Sequence, residues 1–123
     1  MRRVFILMLS LVAASPASAQ NMPVSTFLAK ADALKAKGAM ALFSSDVGLI
    51  KQEVQAAALS YRSDRKASEA AGKPKEVCPP EKGSMNSDEI LSAFRAVPEA
   101  ARPRTTVKQA WVAYMKRKYP CSK

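Results

Sequence analysis

The stretch CPPEKGSMNSDEILSAFRAVPEAARPRTTVKQAWVAYMKRKYPC, residues 78–121, decides the fold of this chain. It opens Cys78-Pro79-Pro80 and closes Tyr119-Pro120-Cys121, and these two are the only cysteines in 123 residues. Between them lie two apolar patterns of helical period, split by Pro98 and Pro103. Asn86 with Glu89 reads as a capping-box-like start, and Ile90, Leu91, Phe94 and Val97 form one face before Pro98 ends the helix. Thr106 with Gln109 fits the T-x-x-Q capping box. Val107, Ala110, Trp111, Tyr114 and Met115 then make a second stripe, closed by Pro120. Lys116, Arg117 and Lys118 sit in its last turn, where they favour the negative end of the helix dipole.

The N-terminus reads as an export signal. Arg2 and Arg3 form a basic n-region, Val4 to Ala14 an apolar h-region, and Ala17-Ser18-Ala19 an A-x-A cleavage site. Residues 1–19 are thus a signal peptide, cut between Ala19 and Gln20, and 20–123 a single helical domain in the periplasm. The apolar run is too short to span a bilayer. Two cysteines in an exported chain pair as a rule, so Cys78 and Cys121 are expected to form a disulfide. It would staple the loop before the third helix to the end of the fourth and hold these two as an antiparallel hairpin. The rival reading, a reactive thiol, lacks a C-x-x-C motif or a histidine to lower its pKa.

Upstream the helical period continues. Phe27, Leu28, Ala31 and Leu34 predict a helix over 26–37, with Ser25 as N-cap and Gly38 at the left-handed C′ position. Ala39-Met40-Ala41-Leu42-Phe43 reads as one further helical turn lying over the core. Ser44-Ser45-Asp46 offers a second cap cluster. A long helix is expected over 46–71, with Val47, Ile50, Val54, Ala57, Ala58 and Tyr61 inward and Gly72-Lys73-Pro74 as its stop. No alternating strand pattern occurs. The fold class is all-α: four to five helices with one disulfide.

The chemistry available is sparse. There is no histidine, so Ser-His-Asp and Cys-His arrangements are impossible. Two distant cysteines and scattered carboxylates make a poor zinc site. Asp88 and Glu89 are adjacent on a helix, do not face one another, and suit its positive end. No phosphate loop, calcium loop or nucleotide motif is present. The expectation is a non-enzyme with no catalytic residue, cofactor or metal.

Charge points to partners. Without Arg2 and Arg3 the twenty basic residues become eighteen against ten acidic, a net +8. From Lys73 onward there are eleven basic and five acidic residues, so the excess lies in the C-terminal half. Arg95, Arg102, Arg104, Lys108, Lys116, Arg117 and Lys118 could form a binding face for anionic envelope components, or a solvated surface. Nucleic acid is not an expected partner of an exported chain. Trp111, Tyr114 and Tyr119 read as core at helical spacing, with Tyr119 the one placed to reach solvent; an exposed aromatic platform is the alternative.

Residues 78–121 resemble the Rap/Tai-type immunity proteins of type VI secretion. The shared order is a Cys-x-Pro loop, a capped helix, a Pro-Glu turn, a helix with an Ala-aromatic step, and aromatic-Pro-Cys. Here these are Cys78-Pro79-Pro80, Asn86 to Val97, Pro98-Glu99, Ala110-Trp111 and Tyr119-Pro120-Cys121. Upstream, Ala58 to Arg62 stands where the family has a Cys-x-Gly-Tyr element, with Tyr61 kept. The family's additional N-terminal cysteines are missing. The resemblance implies a small exported helical protein that occludes a secreted peptidoglycan amidase effector, with homodimer formation a further expectation. The matched residues are structural, so no partner-binding residue is carried over. The other reading is a basic envelope-associated binding module with no toxin partner.

Overall fold

The computed structural model describes residues 21–122; the proposed signal peptide and its Ala19–Gln20 cleavage site lie outside the described residues. Four α-helices form among the described residues: α1 (Val24–Lys37), α2 (Ser45–Ala70), α3 (Ser87–Arg95) and α4 (Val107–Lys118). Two short 3-10 helices, Gly38–Phe43 and Glu99–Arg104, connect α1 to α2 and α3 to α4. Among the described residues there is no strand, only two isolated antiparallel bridges, Pro23 with Thr106 and Val77 with Pro120.

Helix α1 starts two residues earlier than its sequence predicts, and Ser25 is not its cap. Pro23 is the N-cap, in extended conformation, and no side chain caps the turn. The bridge to Thr106 takes over that task. The Val24 N–H donates to the Thr105 carbonyl at 2.8 Å, and the Val107 N–H donates to the Met22 carbonyl at 2.9 Å. Donors that an isolated helix would leave unmet are thus satisfied by a distant segment. The same exchange docks the N-terminal arm onto the start of α4.

The other ends follow the sequence more closely. The Ser44 hydroxyl accepts from the Asp46 N–H and opens α2. At its far end Gly72, with φ of 73°, donates to the Glu69 carbonyl, and Lys73 donates to that of Ser68. This is a Schellman closure, which requires the positive φ that glycine tolerates. Thr106 and Gln109 complete a reciprocal capping box at α4, with bonds of 3.1 and 2.9 Å. Arg102 closes α3 from outside, donating from Nε to the Val97 carbonyl and from Nη2 to that of Arg95.

The core gathers from all four helices. Phe27 of α1 and Phe94 of α3 are fully buried and meet edge to face, with centroids 5.0 Å apart. Val24 and Val107 fill in below them, and Ala57, Tyr61, Trp111 and Met115 line the contact between α2 and α4. That contact is the largest between helices, so α4 rests chiefly on α2 and only secondarily on α3. Cys78 and Cys121 are disulfide-bonded, with Cα atoms 4.9 Å apart. The bond sits beside the Val77–Pro120 bridge, and the Cys78 N–H donates to the Tyr119 carbonyl at 2.9 Å. It therefore staples the loop leaving α2 to the end of α4. Val77, 4 % exposed, is pressed into the core there.

Candidate functional site

The turn expected to cover the core does not do so. Residues 38–43 are helical, but as a 3-10 segment with no buried residue. Met40, Leu42 and Phe43 are 67, 81 and 85 % exposed. The reason lies at Gly38, whose φ of 57° and ψ of −131° turn the chain away from the axis of α1. Both ends of the turn are pinned. The Gly38 N–H donates to the Lys35 carbonyl, and the Ser44 N–H to that of Ala41. Lys30 of α1 pairs with Asp46 of α2 at 3.0 Å across its base. Three large apolar side chains are thus presented to water on a short, braced projection.

An apolar groove of about 510 Å³ opens at the same end of the molecule, between α1, α2 and α3. Leu34 and Phe27 form one wall, Ile50 and Val54 a second, and Ile90 and Leu91 a third. Leu34 lies in the last turn of α1 and Ile50 in the second turn of α2, so the groove lies close to the base of the exposed turn.

The basic residues around α4 are largely engaged. Arg95 pairs with Asp32 of α1, Lys108 with Asp64 at 2.8 Å, Lys116 with Glu76 at 2.9 Å, and Lys118 with Glu89. Arg102 and Arg104 donate to backbone carbonyls. Of the seven cations that the sequence sets there, Arg117 alone has no such partner among the described residues. Four of the seven are thus held by acids, while Arg102, Arg104 and Arg117 have no acidic partner among the described residues.

Glu89 departs from its expected capping role. Asn86 does accept the Glu89 N–H, at 2.8 Å. The Glu89 carboxylate, however, receives Lys118 Nζ and the Tyr114 hydroxyl as its chief partners, with the Asn86 backbone a lesser influence. Charge-assisted bonds outcompete a neutral backbone donor. Lys118 and then Tyr114 hold the Glu89 carboxyl below its usual range, and Glu89 in turn raises Lys118. Lys118 also lies 5.7 Å from the Tyr114 ring centre and 5.3 Å from that of Tyr119. Trp111 is buried, whereas Tyr114 and Tyr119 are both half-buried, so the three make no exposed aromatic platform.

One residue was not singled out from sequence. Glu53, 5 % exposed, is the one buried charged side chain among the described residues. Its Oε2 has no hydrogen-bond partner among the described residues. Burial raises its pKa, opposed in lesser part by the nearby Met22 backbone. The spacing Ile50, Glu53, Ala57, Tyr61 places it on the inward stripe and was the signal available.

No group of three or more potential metal ligands gathers among the described residues. No helix among them is long and apolar enough to cross a membrane. Comparison with family models, curated proteins and solved structures returned no match to this chain.

Proposed function

We propose that this chain is an exported protein-binding module that inhibits its partner by occlusion. The observation that carries the reading is the projection of Met40, Leu42 and Phe43 into solvent on a turn pinned at both ends. Binding energy at protein interfaces concentrates in a few large side chains that become fully desolvated. A braced turn loses little freedom when it binds, so more of that energy appears as affinity. The neighbouring groove extends the apolar surface beyond the turn. A stable complex buries about 1,200–2,000 Å² in total, and the turn would supply its centre.

The resemblance of residues 78–121 to Rap/Tai-type immunity proteins supplies the partner class: a peptidoglycan amidase delivered by type VI secretion and met in the periplasm. The turn would fill the mouth of the enzyme's cleft and keep wall peptide out. The internal pairing of Arg95, Lys108, Lys116 and Lys118 counts against the rival reading of a basic module held to anionic envelope polymers, since the acids in those pairs offset four of the seven charges on which such a polymer would draw.

The test compares the chain from Gln20 onward with a Leu42→Ser/Phe43→Ser variant. Both are tagged at the C-terminus and expressed with the signal in the native host, and what each recovers is identified. The parent should recover a wall amidase in stoichiometric amount and inhibit it when purified. Loss of a central anchor of about 2 kcal/mol weakens the variant roughly thirtyfold. Equal inhibition by both proteins would overturn the reading. So would recovery of wall fragments or lipid alone, lost as salt is raised.

A further inference from the structure

At the opposite end of α2 lies a cavity of about 410 Å³, between the last turns of the helix and the loop 73–77. Three acids line it, and each is already paired. Asp64 holds Lys108 at 2.8 Å, Glu76 holds Lys116 at 2.9 Å, and Glu69 approaches Lys75 at 3.9 Å. Two cations of the lining, Arg65 and Lys73, belong to no ion pair among the described residues. Arg65 and Lys73 are thus the lining cations that no acid of the lining holds.

Arg65 is held in an unusual way. Its guanidinium carbon lies over the Tyr61 ring, 5.6 Å from the ring centre. Its Nε is buried and meets no hydrogen-bond acceptor. A buried N–H without an acceptor is costly, and such groups call for an explanation. The unmet Nε–H leaves this guanidinium able to take an acceptor that a ligand brings. Lys73 is placed by the Schellman closure, whose bonds from Lys73 and Gly72 also occupy the Ser68 and Glu69 carbonyls. Those carbonyls, which would otherwise repel an anion at a helix C-terminus, are thereby engaged.

We propose that this cavity binds a carboxylate, gripped side-on by the Nε–H and Nη–H edge of Arg65 and paired with Lys73. The fork of arginine matches the two oxygens of a carboxylate in one plane, which a lysine ammonium cannot do. A turn about the last side-chain torsions of Arg65 brings the unmet N–H to the ligand. The volume lies in the range of small-ligand sites and exceeds what an acetate ion fills. The chemistry is shared by a free small carboxylate and by the C-terminus of a short peptide. The cavity is about 30 Å along α2 from the exposed apolar turn, so its failure would leave the occlusion reading untouched.

The experiment follows the Arg65 Nε–H resonance of the disulfide-bonded chain from Gln20 onward, at low ionic strength. The probes are acetate, N-acetyl-alanyl-alanine, the amide of that peptide, inorganic phosphate and chloride. A saturable downfield shift with the free-acid peptide, absent with its amide, supports the site and assigns it to a peptide terminus. An equal response to acetate supports the site and assigns it to a free small carboxylate. Arg65→Lys keeps the charge but loses the fork, and should weaken binding about tenfold; Lys73→Gln should weaken it severalfold. Unchanged backbone spectra certify that both variants fold. The proposal is overturned by a shift that does not saturate, by an equal response to the amide or chloride, by phosphate binding as tightly as carboxylate, or by full affinity in Arg65→Lys.

Discussion

Replacing both cysteines, Cys78→Ser with Cys121→Ser, should cost this domain a large part of its stability while leaving its native shape nearly intact. The bonded residues are 43 apart in sequence. Closing a loop of that length lowers the entropy of the unfolded chain by an amount worth about 4 kcal/mol at 25 °C. The native side of the balance changes little. The Val77–Pro120 bridge and the bond from the Cys78 N–H to the Tyr119 carbonyl are backbone contacts, and Val77 remains in the core without the sulfurs. Cys78 is exposed and Cys121 half-buried, so serine meets no apolar wall. Domains of this size are stable by only about 5–15 kcal/mol, so the loss is easily resolved. Trp111, the sole tryptophan and 8 % exposed, reports unfolding by fluorescence. With a urea slope of about 1.5 kcal/mol/M, the midpoint should fall by roughly 2.5–3 M. The slope should also rise, because an unlinked chain exposes more surface when unfolded. Intact mass of the alkylated, unreduced parent confirms that its bond is formed. A midpoint shift under about 0.5 M with an unchanged slope would refute the argument that the bond acts by restricting the unfolded chain.

Two further perturbations test other parts of the structure. Glu53→Gln should raise the melting temperature at neutral pH. Burial lifts the Glu53 pKa in the folded state, so the folded protein binds this proton more tightly than the unfolded chain does. The associated stability is present at acid pH and is lost as pH rises through the folded pKa. The advantage of glutamine should therefore be largest at neutral pH and vanish below the ordinary value of 4.5, as paired melting series against pH will show. Thr106→Ala removes the hydroxyl that accepts the Gln109 N–H and should cost about 1 kcal/mol, or about 4–8 °C in melting temperature. Faster hydrogen exchange at the Gln109 amide would locate that loss at the start of α4.

What could be read from sequence was local. The Thr106–Gln109 box, the Gly72 stop and the Asn86 cap each lie within a few residues of the bonds they make, and each appears where its pattern places it. The cysteine pair was legible for a different reason: with only two candidates there is one pairing. Contacts between distant segments were not legible. Nothing near Ser25 announces that Thr105 will satisfy the first turn of α1, and nothing near Arg95 announces Asp32, 63 residues away. The orientation of residues 39–43 failed for a related reason. An apolar run says that burial is favourable, but whether the chain turns inward depends on the single unusual backbone geometry at Gly38.

The pairing of charges changes what the net charge of this chain means. A surplus spread over a surface draws acidic polymers at long range. Ion pairs at exposed positions add little stability, yet they fix where each side chain points and shorten the reach of its field. Asp32, Asp64, Glu76 and Glu89 each hold one of the cations grouped near α4. Association driven by those four would have to compete with their acids, which leaves Arg102, Arg104 and Arg117 as the cations of the group without an acid among the described residues. The exposed side chains of Met40, Leu42 and Phe43 carry no such internal claim. They touch no core, so trimming them should leave stability unchanged. Each square ångström of apolar surface that a partner covers there is worth about 25 cal/mol before the costs of association. Folding does not use this surface, and its energy is therefore available to binding.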